Sequence, residues 1–336
     1  MFKKLFSLLL FNLFMLVNNL SDIQKNQDTL ISYLFLILLT IMVAILISRQ
    51  LNKSPSSSKS RSLIVRKLVG NKNAMIGLVI IIFLLYISIL APFIIPDDPL
   101  KMNWGSLTQG PSMDHYLGTD EFGRDILSRT IYGTRIAMGI GIFAVLINSL
   151  IGTTLGLIAG YYGGKVDNLI MRFIEMFNSI PFILLAIALM SVLGTGLFNL
   201  IIVVSITGMM QFARIIRGSV LQEKGKEYIL AAEAMGNSDF RILIKHILPN
   251  CLSPVIVLST LRIGEMILTI AGLSFLGLGI QPPTPSLGSM LSSGQQYISE
   301  NIMMSIAPGT MILLIVFAFN LLGDGLRDAF DSKLNN

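Results

Sequence analysis

The sequence predicts an all-α membrane protein that crosses the bilayer several times, and three observations support this fold class. Of the 336 residues, 53% are hydrophobic and only 13% are charged, which is about half the charge of an average globular chain. The mean hydropathy is +0.73. Several apolar runs also reach the ~20 residues that a helix needs to cross the hydrocarbon core.

Six apolar runs downstream of residue 73 form the predicted transmembrane core. They are 74–95, 135–160, 169–193, 198–217, 251–279 and 303–322. Pro181 falls inside the third run, where we expect it to bend the helix. Weaker hydrophobic segments at 5–20 and 30–48 predict one or two additional N-terminal helices.

The charges of the loops predict the orientation, because Lys and Arg accumulate in short cytoplasmic loops. Residues 49–73 contain seven Lys and Arg residues and no acid, so this segment is expected in the cytoplasm. Residues 96–134 contain six acids and only three Lys and Arg residues, and residues 280–302 contain no Lys or Arg. Both loops are therefore expected outside, which places residues 218–250 in the cytoplasm.

The spans and linkers divide the chain into five predicted segments. They are accessory hydrophobic segments at 1–50, a basic cytoplasmic linker at 51–73, the first core span with its external loop at 74–134, the transmembrane core at 135–323 with its cytoplasmic loop at 218–250, and a cytoplasmic tail at 324–336. The polar stretch SPSSSKSRS within the linker is typical of a flexible connection.

Composition also argues against several functions. The net charge of +6 comes from loops beside spans, so it indicates membrane topology and not nucleic-acid binding. The single cysteine, Cys251, rules out an internal disulfide, and His115 and His246 form no HExxH pair. A G-x-x-x-x-G-K-[ST] phosphate loop is missing from the sequence. We therefore predict no catalytic, cofactor-binding or metal-ligating residues in this chain.

The charged stretch EYILAAEAMGNSDFRILIKHILPN, residues 227–250, interrupts two apolar runs and predicts a helix–turn–helix. Gly236 is expected to end the first helix in a left-handed conformation. Ser238 or Asp239 can cap the second helix, and Pro249 is expected to end it. Two interpretations remain open from physics alone: a hairpin lying on lipid headgroups, or a docking element for a cytoplasmic partner.

The same stretch resembles the "EAA" loop of ABC importer permeases. It matches the A-A-x-x-x-G and I-L-P pattern, but Leu230 replaces the usual Glu at the first position. The resemblance implies a coupling helix that seats in a cleft of an ATP-hydrolysing subunit. The implied contact residues are Ala231, Ala232, Glu233, Met235, Gly236, Ser238 and Asp239.

A second stretch, HYLGTDEFGRDILSRTIYGTRIAMGIG at 115–141, resembles the C-type permease of oligopeptide, dipeptide and nickel importers. Its motif residues are Gly118, Thr119, Asp120, Gly123, Arg124 and Asp125. From the residues alone, Thr119 or Asp120 can cap a helix, and the motif can also be a solvated loop. GLSFLGLGIQPPTPSLGSM at 272–290 and FNLLGDGLRDAFDSKL at 319–334 resemble the same family, although Ile270 replaces a frequent Glu.

The resemblance covers about residue 66 to the end and implies a type I ABC importer permease in a bacterial inner membrane. Its implied partners are a homologous B-type permease, two cytoplasmic ABC ATPases that bind ATP and Mg, an external substrate-binding protein and membrane lipids. The implied cargo is a peptide delivered by that binding protein. Glu265, in the middle of a span, can line the translocation path or pair with Arg262.

Other functions remain as alternatives to peptide import. The same architecture can import nickel or another metal chelate. An ion-coupled carrier or channel would need no ATPase, and it would normally place several ionisable groups at mid-membrane. A membrane enzyme would need a nucleophile–base pair or a metal set that the sequence does not supply, and an ABC exporter would typically be fused to its ATPase.

Overall fold

Residues 59–331 are described by a computed structural model, and helices joined by loops make up this part of the chain. The predicted N-terminal segments at 5–20 and 30–48 lie outside the described residues. The helices are α1 (Lys59–Gly70), α2 (Lys72–Ile94), α3 (Ile126–Tyr162), α4 (Gly164–Asn178), α5 (Phe182–Leu193), α6 (Leu197–Lys224), α7 (Glu227–Ala234), α8 (Asp239–Phe275), α9 (Leu287–Gln296) and α10 (Met303–Asp331).

Five of the described helices, α2, α3, α6, α8 and α10, are long and apolar enough to cross a membrane. The pair α4 and α5 passes the same test together, so the core has six spans if that pair counts as one. Helices α3 and α10 extend beyond the predicted apolar runs, to Ile126 and Asp331. Their additional turns are polar or amphipathic, so a search for apolar runs does not detect them.

The bend expected at Pro181 is confirmed, and it divides the predicted third span, 169–193, into two helices. Helix α4 ends at Asn178, α5 begins at Phe182, and the two axes meet at 91°. Pro181 lacks a backbone N–H and disfavours the helical conformation at Ile180, which accounts for a break at this position. The twelve residues of α5 extend only about 18 Å, less than the ~30 Å hydrocarbon core.

The predicted helix end at Pro249 is also wrong, because α8 is one helix of 37 residues from Asp239 to Phe275. A π-helical turn at Leu243–Ile247 precedes the proline, and the N–H of Leu248 donates to the carbonyl of Leu243. Pro249 lacks an N–H and its ring crowds the preceding turn, so a wider turn at this point lets the helix continue.

Close backbone packing holds the spans together. Gly152, Gly156 and Gly160 of α3 lie four residues apart and face α6, and a Cβ added at Gly156 would lie 2.6 Å from the carbonyl oxygen of Ala213. A Cβ added at Gly77 of α2 would lie 2.6 Å from the backbone of α10. Small residues at helix crossings are typical of membrane proteins, where close contact replaces the hydrophobic driving force.

Helix α3 connects the two regions that the sequence analysis singled out. Its N-terminus follows the G-T-D-x-x-G-R-D motif, and Tyr161 near its C-terminus contacts the helix–turn–helix. The 37 residues of α3 correspond to about 55 Å. The two regions therefore lie at opposite ends of the helical core; we call them the motif end and the hairpin end.

Candidate functional site

The hairpin, residues 227–250, turns as the sequence predicts. Gly236 has a φ of +76°, which confirms its left-handed conformation. Its N–H donates to the carbonyl of Glu233 at 2.9 Å, and the N–H of Asn237 donates to Ala232 at 3.2 Å. These two bonds form a Schellman motif, which satisfies the last carbonyls of α7.

The second helix of the hairpin begins differently from the prediction. Ser238 occupies the N-cap position with an extended backbone, but its side chain forms no capping hydrogen bond within the described residues. The carboxylate of Asp239 instead accepts a hydrogen bond from the Tyr161 hydroxyl at 3.0 Å. The polar side chain at this turn therefore serves a tertiary contact, which a local capping rule does not anticipate.

One face of the hairpin is buried against the spans. Apolar residues of the hairpin pack against the C-terminal turns of α3 and α6 and against Cys251, which follows the hairpin in α8. This cluster contains Leu157, Tyr161, Ile216, Val220, Ile229, Ala232, Ile242, Leu243, Ile247 and Cys251. Ala232, one of the seven predicted contact residues, is therefore covered by the chain's own spans, whereas the other six are exposed.

A first tyrosine ties the hairpin to two spans. The Tyr161 hydroxyl of α3 reaches Asp239, while Lys224 at the end of α6 donates to the Tyr161 carbonyl oxygen at 2.6 Å. The Lys224 ammonium also lies 5.0 Å from the centre of the Tyr161 ring, within cation–π range. The end of α3, the end of α6 and the hairpin are thus joined through one side chain.

A second tyrosine connects the two helices of the hairpin with α6. The Tyr228 hydroxyl of α7 hydrogen-bonds the Glu223 carboxylate, and Asn250 of α8 donates to the Tyr228 oxygen at 2.9 Å. Desolvation and the hydrogen bond to Glu223 raise the pKa of Tyr228 to about 12, so the phenol stays protonated at neutral pH. The sequence analysis missed both tyrosines, although Tyr at the ends of apolar runs is a known signal of the membrane interface.

The opposite face of the hairpin exposes large apolar side chains. Leu230 is 56% exposed, Met235 is 75% exposed and Phe240 is 74% exposed. We call these three residues the apolar face. Leu230 stands where the resemblance leads one to expect Glu, so this face is more apolar than the family pattern implies. Phe240 is not among the seven contact residues that the resemblance implies.

At the motif end, the six motif residues occupy a compact turn that is closed by its own ion pairs. The Asp120 carboxylate accepts a hydrogen bond from the Arg124 Nε at 2.6 Å, and it lies 3.3 Å from the Arg129 Nε. Arg129 also donates to the carbonyl of Pro99 at 2.8 Å. Asp120, Arg124 and Arg129 are all buried. The expectation of a solvated loop is therefore wrong, because the charges neutralise one another inside the fold.

The capping prediction at this motif is also wrong, since Asp125 is the N-cap of α3. Its Oδ2 accepts the backbone N–H of Ser128 at 2.7 Å. Thr119 instead donates to the carbonyl of Ser106 and accepts from the N–H of Gln109. An Asp directly before the first residue of an apolar run is a usual start signal, and it was overlooked in favour of earlier residues.

The two glycines of the motif allow the turn to close. Gly118 has a φ of +81° and Gly123 a φ of +70°, values that glycine adopts without steric cost. A side chain at Gly123 would collide with the backbone of Asn103, and one at Gly118 with the carbonyl of Gln109. Asn301 then fastens the turn to the loop before α10 by donating to the Gln109 carbonyl at 2.8 Å.

Glu265, the predicted path residue, lies on the outside of this chain. Its carboxylate pairs with the guanidinium of Arg262 at 2.6 Å, and its side chain is 59% exposed. An exposed carboxylate in the middle of a span is costly against lipid, so it is expected to face protein or water. Ile270, the other position where the resemblance leads one to expect Glu, is instead buried in an apolar cluster with residues of α3 and α6.

Comparison with known proteins identifies the chain's relatives. The family model described as "Binding-protein-dependent transport system inner membrane component" matches residues 152–336, which is more than half of the chain. The model of the N-terminal TM domain of oligopeptide transport permease C matches residues 61–111.

Several relatives cover most of the chain. The dipeptide transport system permease protein DppC of Alkalihalophilus pseudofirmus is 45% identical over 81% of this chain and 89% of its own length. The glutathione transport system permease protein GsiD of Pectobacterium atrosepticum is 46% identical over 76% of this chain and 85% of its own length.

Among solved structures, a chain of the MetNI methionine ABC transporter in an inward-facing conformation matches with a TM-score of 0.50. The match has 21% identity and covers 61% of this chain and 97% of that chain. At this identity the match supports the fold alone, which is that of a type I ABC importer permease. The protein is a multi-pass inner-membrane protein, and it belongs to the family of binding-protein-dependent transport system inner membrane components.

Proposed function

We propose that the chain is the C-type permease subunit of an ATP-driven importer of short peptides. Relatives with 45% and 46% identity are named for the transport of dipeptides and of glutathione, and both cargoes are short peptides. The chain forms half of the translocation path, and a homologous B-type permease forms the other half. An external substrate-binding protein delivers the peptide to the motif end.

The hairpin docks into an ATP-hydrolysing subunit. Its buried face is joined to α3, α6 and α8, while its apolar face of Leu230, Met235 and Phe240 is exposed. Large apolar side chains that are exposed within one short segment are typical of an interaction site. Two ATPases bind ATP and Mg in the complex, one under each permease, and this chain binds no nucleotide. The sequence supports this assignment of ATP binding to other subunits, because it lacks a phosphate loop.

The exposed face of α8 lines the path between the two permeases. The Arg262–Glu265 pair supports this assignment, since its partly exposed charges need water or protein around them. The remaining apolar surfaces of the spans contact membrane lipids. A movement of the ATPase is passed to α8 directly, because α8 begins inside the hairpin.

The observation that carries the docking proposal is the apolar face on a hairpin that is fastened to the spans. Its test is copurification of the tagged chain with its ATPase. Phe240→Asp places a carboxylate where an apolar contact is expected. We therefore predict that the amount of ATPase subunit that copurifies with each permease falls at least about tenfold. Met113→Asp is the matched control, since Met113 is 91% exposed at the motif end.

Two results would overturn the docking proposal. One is a Phe240→Asp variant that retains its ATPase at the wild-type ratio while Met113→Asp does the same. The other is a wild-type chain that brings down no P-loop ATPase at all, as an ion-coupled carrier would behave. Peptide uptake by cells that carry only the Phe240→Asp permease then shows whether lost docking also abolishes transport.

A further inference from the structure

Three ligand-type side chains from distant parts of the motif end meet in space. Asp97 follows α2, His115 lies in the external loop, and Asp125 is the N-cap of α3. One ligand atom from each lies within 4.8 Å of the others. The Nδ1 of His115 is 3.1 Å from an oxygen of Asp125 and 3.9 Å from an oxygen of Asp97.

We propose that Asp97, His115 and Asp125 form a binding site for a divalent transition-metal ion of the Zn²⁺ type. Zinc binds nitrogen and carboxylate oxygen at about 2.0–2.2 Å, so its ligand atoms are separated by roughly 3–4 Å. The two measured separations, 3.1 and 3.9 Å, fall in this range. A small movement of Asp97, the most exposed of the three, would complete the set.

The charge at the site independently favours a cation. Among the described residues, the ion pairs of Asp97 and Asp125 involve His115 and no Lys or Arg. The nearby Arg124 and Arg129 are both committed to Asp120. Two carboxylates therefore converge on one imidazole, which gives the cluster an excess of negative charge. Because Asp125 is buried, this charge is poorly screened by water, and a divalent ion would neutralise it.

Hydrogen bonds around the cluster orient the carboxylate of Asp125 and hold the backbone of Asp97. Ser128 donates its backbone N–H to Oδ2 of Asp125, which leaves Oδ1 directed at His115. The hydroxyl oxygen of the same Ser128 accepts the backbone N–H of Asp97 at 3.1 Å. Outer contacts of this kind hold metal ligands in place before the ion arrives. They also restrict the freedom that each ligand would lose on binding.

The ligand types indicate the kind of ion. Ca²⁺ and Mg²⁺ prefer oxygen ligands throughout, whereas an imidazole together with carboxylates suits Zn²⁺ and its first-row neighbours. Three protein ligands leave a fourth position, which the partial exposure of Asp97 and His115 makes accessible to water. The bound ion would brace the end of α2, the external loop and the start of α3. This role is independent of the cargo and of ATPase docking.

The test uses the full-length chain, purified with its copurifying subunits and without a histidine tag. The sample is stripped with a chelator and titrated with ZnCl₂ in a calorimeter, and retained metal is counted by mass spectrometry. His115→Gln and Asp97→Asn each remove one ligand. Asp114→Asn is the matched control, because Asp114 is exposed beside His115 and lies outside the cluster.

We expect wild type and Asp114→Asn to retain one more Zn²⁺ per chain than His115→Gln and Asp97→Asn, with affinity reduced at least about tenfold in both ligand variants. Comparing variants cancels zinc held by the other subunits. The proposal is overturned if wild type binds no zinc, or if both ligand variants bind as wild type does. In either case His115 is only a hydrogen-bond partner of Asp125.

Discussion

At the motif end of α3 the charged side chains are buried and paired with one another, whereas at the hairpin end large apolar side chains are exposed. Asp120, Arg124 and Arg129 satisfy their charges within the chain. Leu230, Met235 and Phe240 remain exposed within residues 59–331, the part of the chain that the structure describes. The buried charges of the first region are satisfied within the single chain, while the hairpin presents apolar side chains of the kind that a partner subunit covers.

This contrast shows how a sequence motif can be interpreted. Both regions carry residue patterns that resemble the same family, so the patterns alone do not distinguish an internal role from an intermolecular one. Burial and pairing do distinguish them. A buried ion-pair cluster predicts that substitutions damage folding, whereas an exposed apolar face predicts that substitutions damage assembly and leave the fold intact.

The largest expected effect is at the motif end. Asp120→Ala would leave Arg124 and Arg129 buried without their shared carboxylate. Breaking a buried ion pair by removing one partner costs about 3–5 kcal/mol. We therefore expect little of the variant to be recovered as monodisperse protein in detergent. Asp114→Ala, an exposed neighbour, serves as the control. Equal yield and thermal stability of the two variants would show that the ion-pair cluster around Asp120 has no structural role.

A smaller effect is expected where the hairpin turns. Gly236→Ala forces a side chain into a left-handed conformation, although open space surrounds the position. The expected cost is about 1–2 kcal/mol, confined to the hairpin. Gly218→Ala in α6 also meets open space, but in a helical conformation, so it should not destabilise the protein and can stabilise α6 by up to about 1 kcal/mol. Hydrogen exchange of residues 227–239 would measure the difference, and equal exchange in both variants would contradict it.

The smallest effect is expected for Tyr161→Phe, which removes one hydroxyl. The hydrogen bond to Asp239 is lost, while the ring and its contact with Lys224 remain. A single hydrogen bond contributes about 0.5–1.5 kcal/mol. We expect near-normal yield but weaker stimulation of ATP hydrolysis by substrate-loaded binding protein, since the hairpin is less firmly attached to α3. Tyr162→Phe is the control, and identical stimulation in both variants would show that the bond is not used in coupling.

The sequence was sufficient for features that depend on local composition. Apolar runs identified the spans because the cost of placing a helix in the hydrocarbon core depends mainly on the residues of that helix. The hairpin was also recognisable, because charge, Gly236 and small residues all lie within a short window. These local preferences agree with the tertiary structure, so the prediction of a turn at Gly236 is confirmed.

The missed features depend on contacts between distant residues. Pro181 and Pro249 are the same residue type, yet the chain breaks by 91° before α5 and continues without a break through Pro249. The π-helical turn before Pro249 allows the helix to continue, and such a turn cannot be recognised from the hydropathy of the sequence. The burial of Asp120 likewise depends on loops that come together only in the folded chain, whereas the N-cap at Asp125 is a local signal that was overlooked.

The continuity of α8 has a mechanical consequence. A rod of 37 residues is about 55 Å long, and its first turn lies within the hairpin. If α8 pivots at this first turn, a tilt of about 5° displaces its other end by about 5 Å. This distance is roughly the spacing between two neighbouring β-strands. If an ATPase docks on the hairpin as proposed, a modest rotation there would produce a larger displacement at the far end of α8.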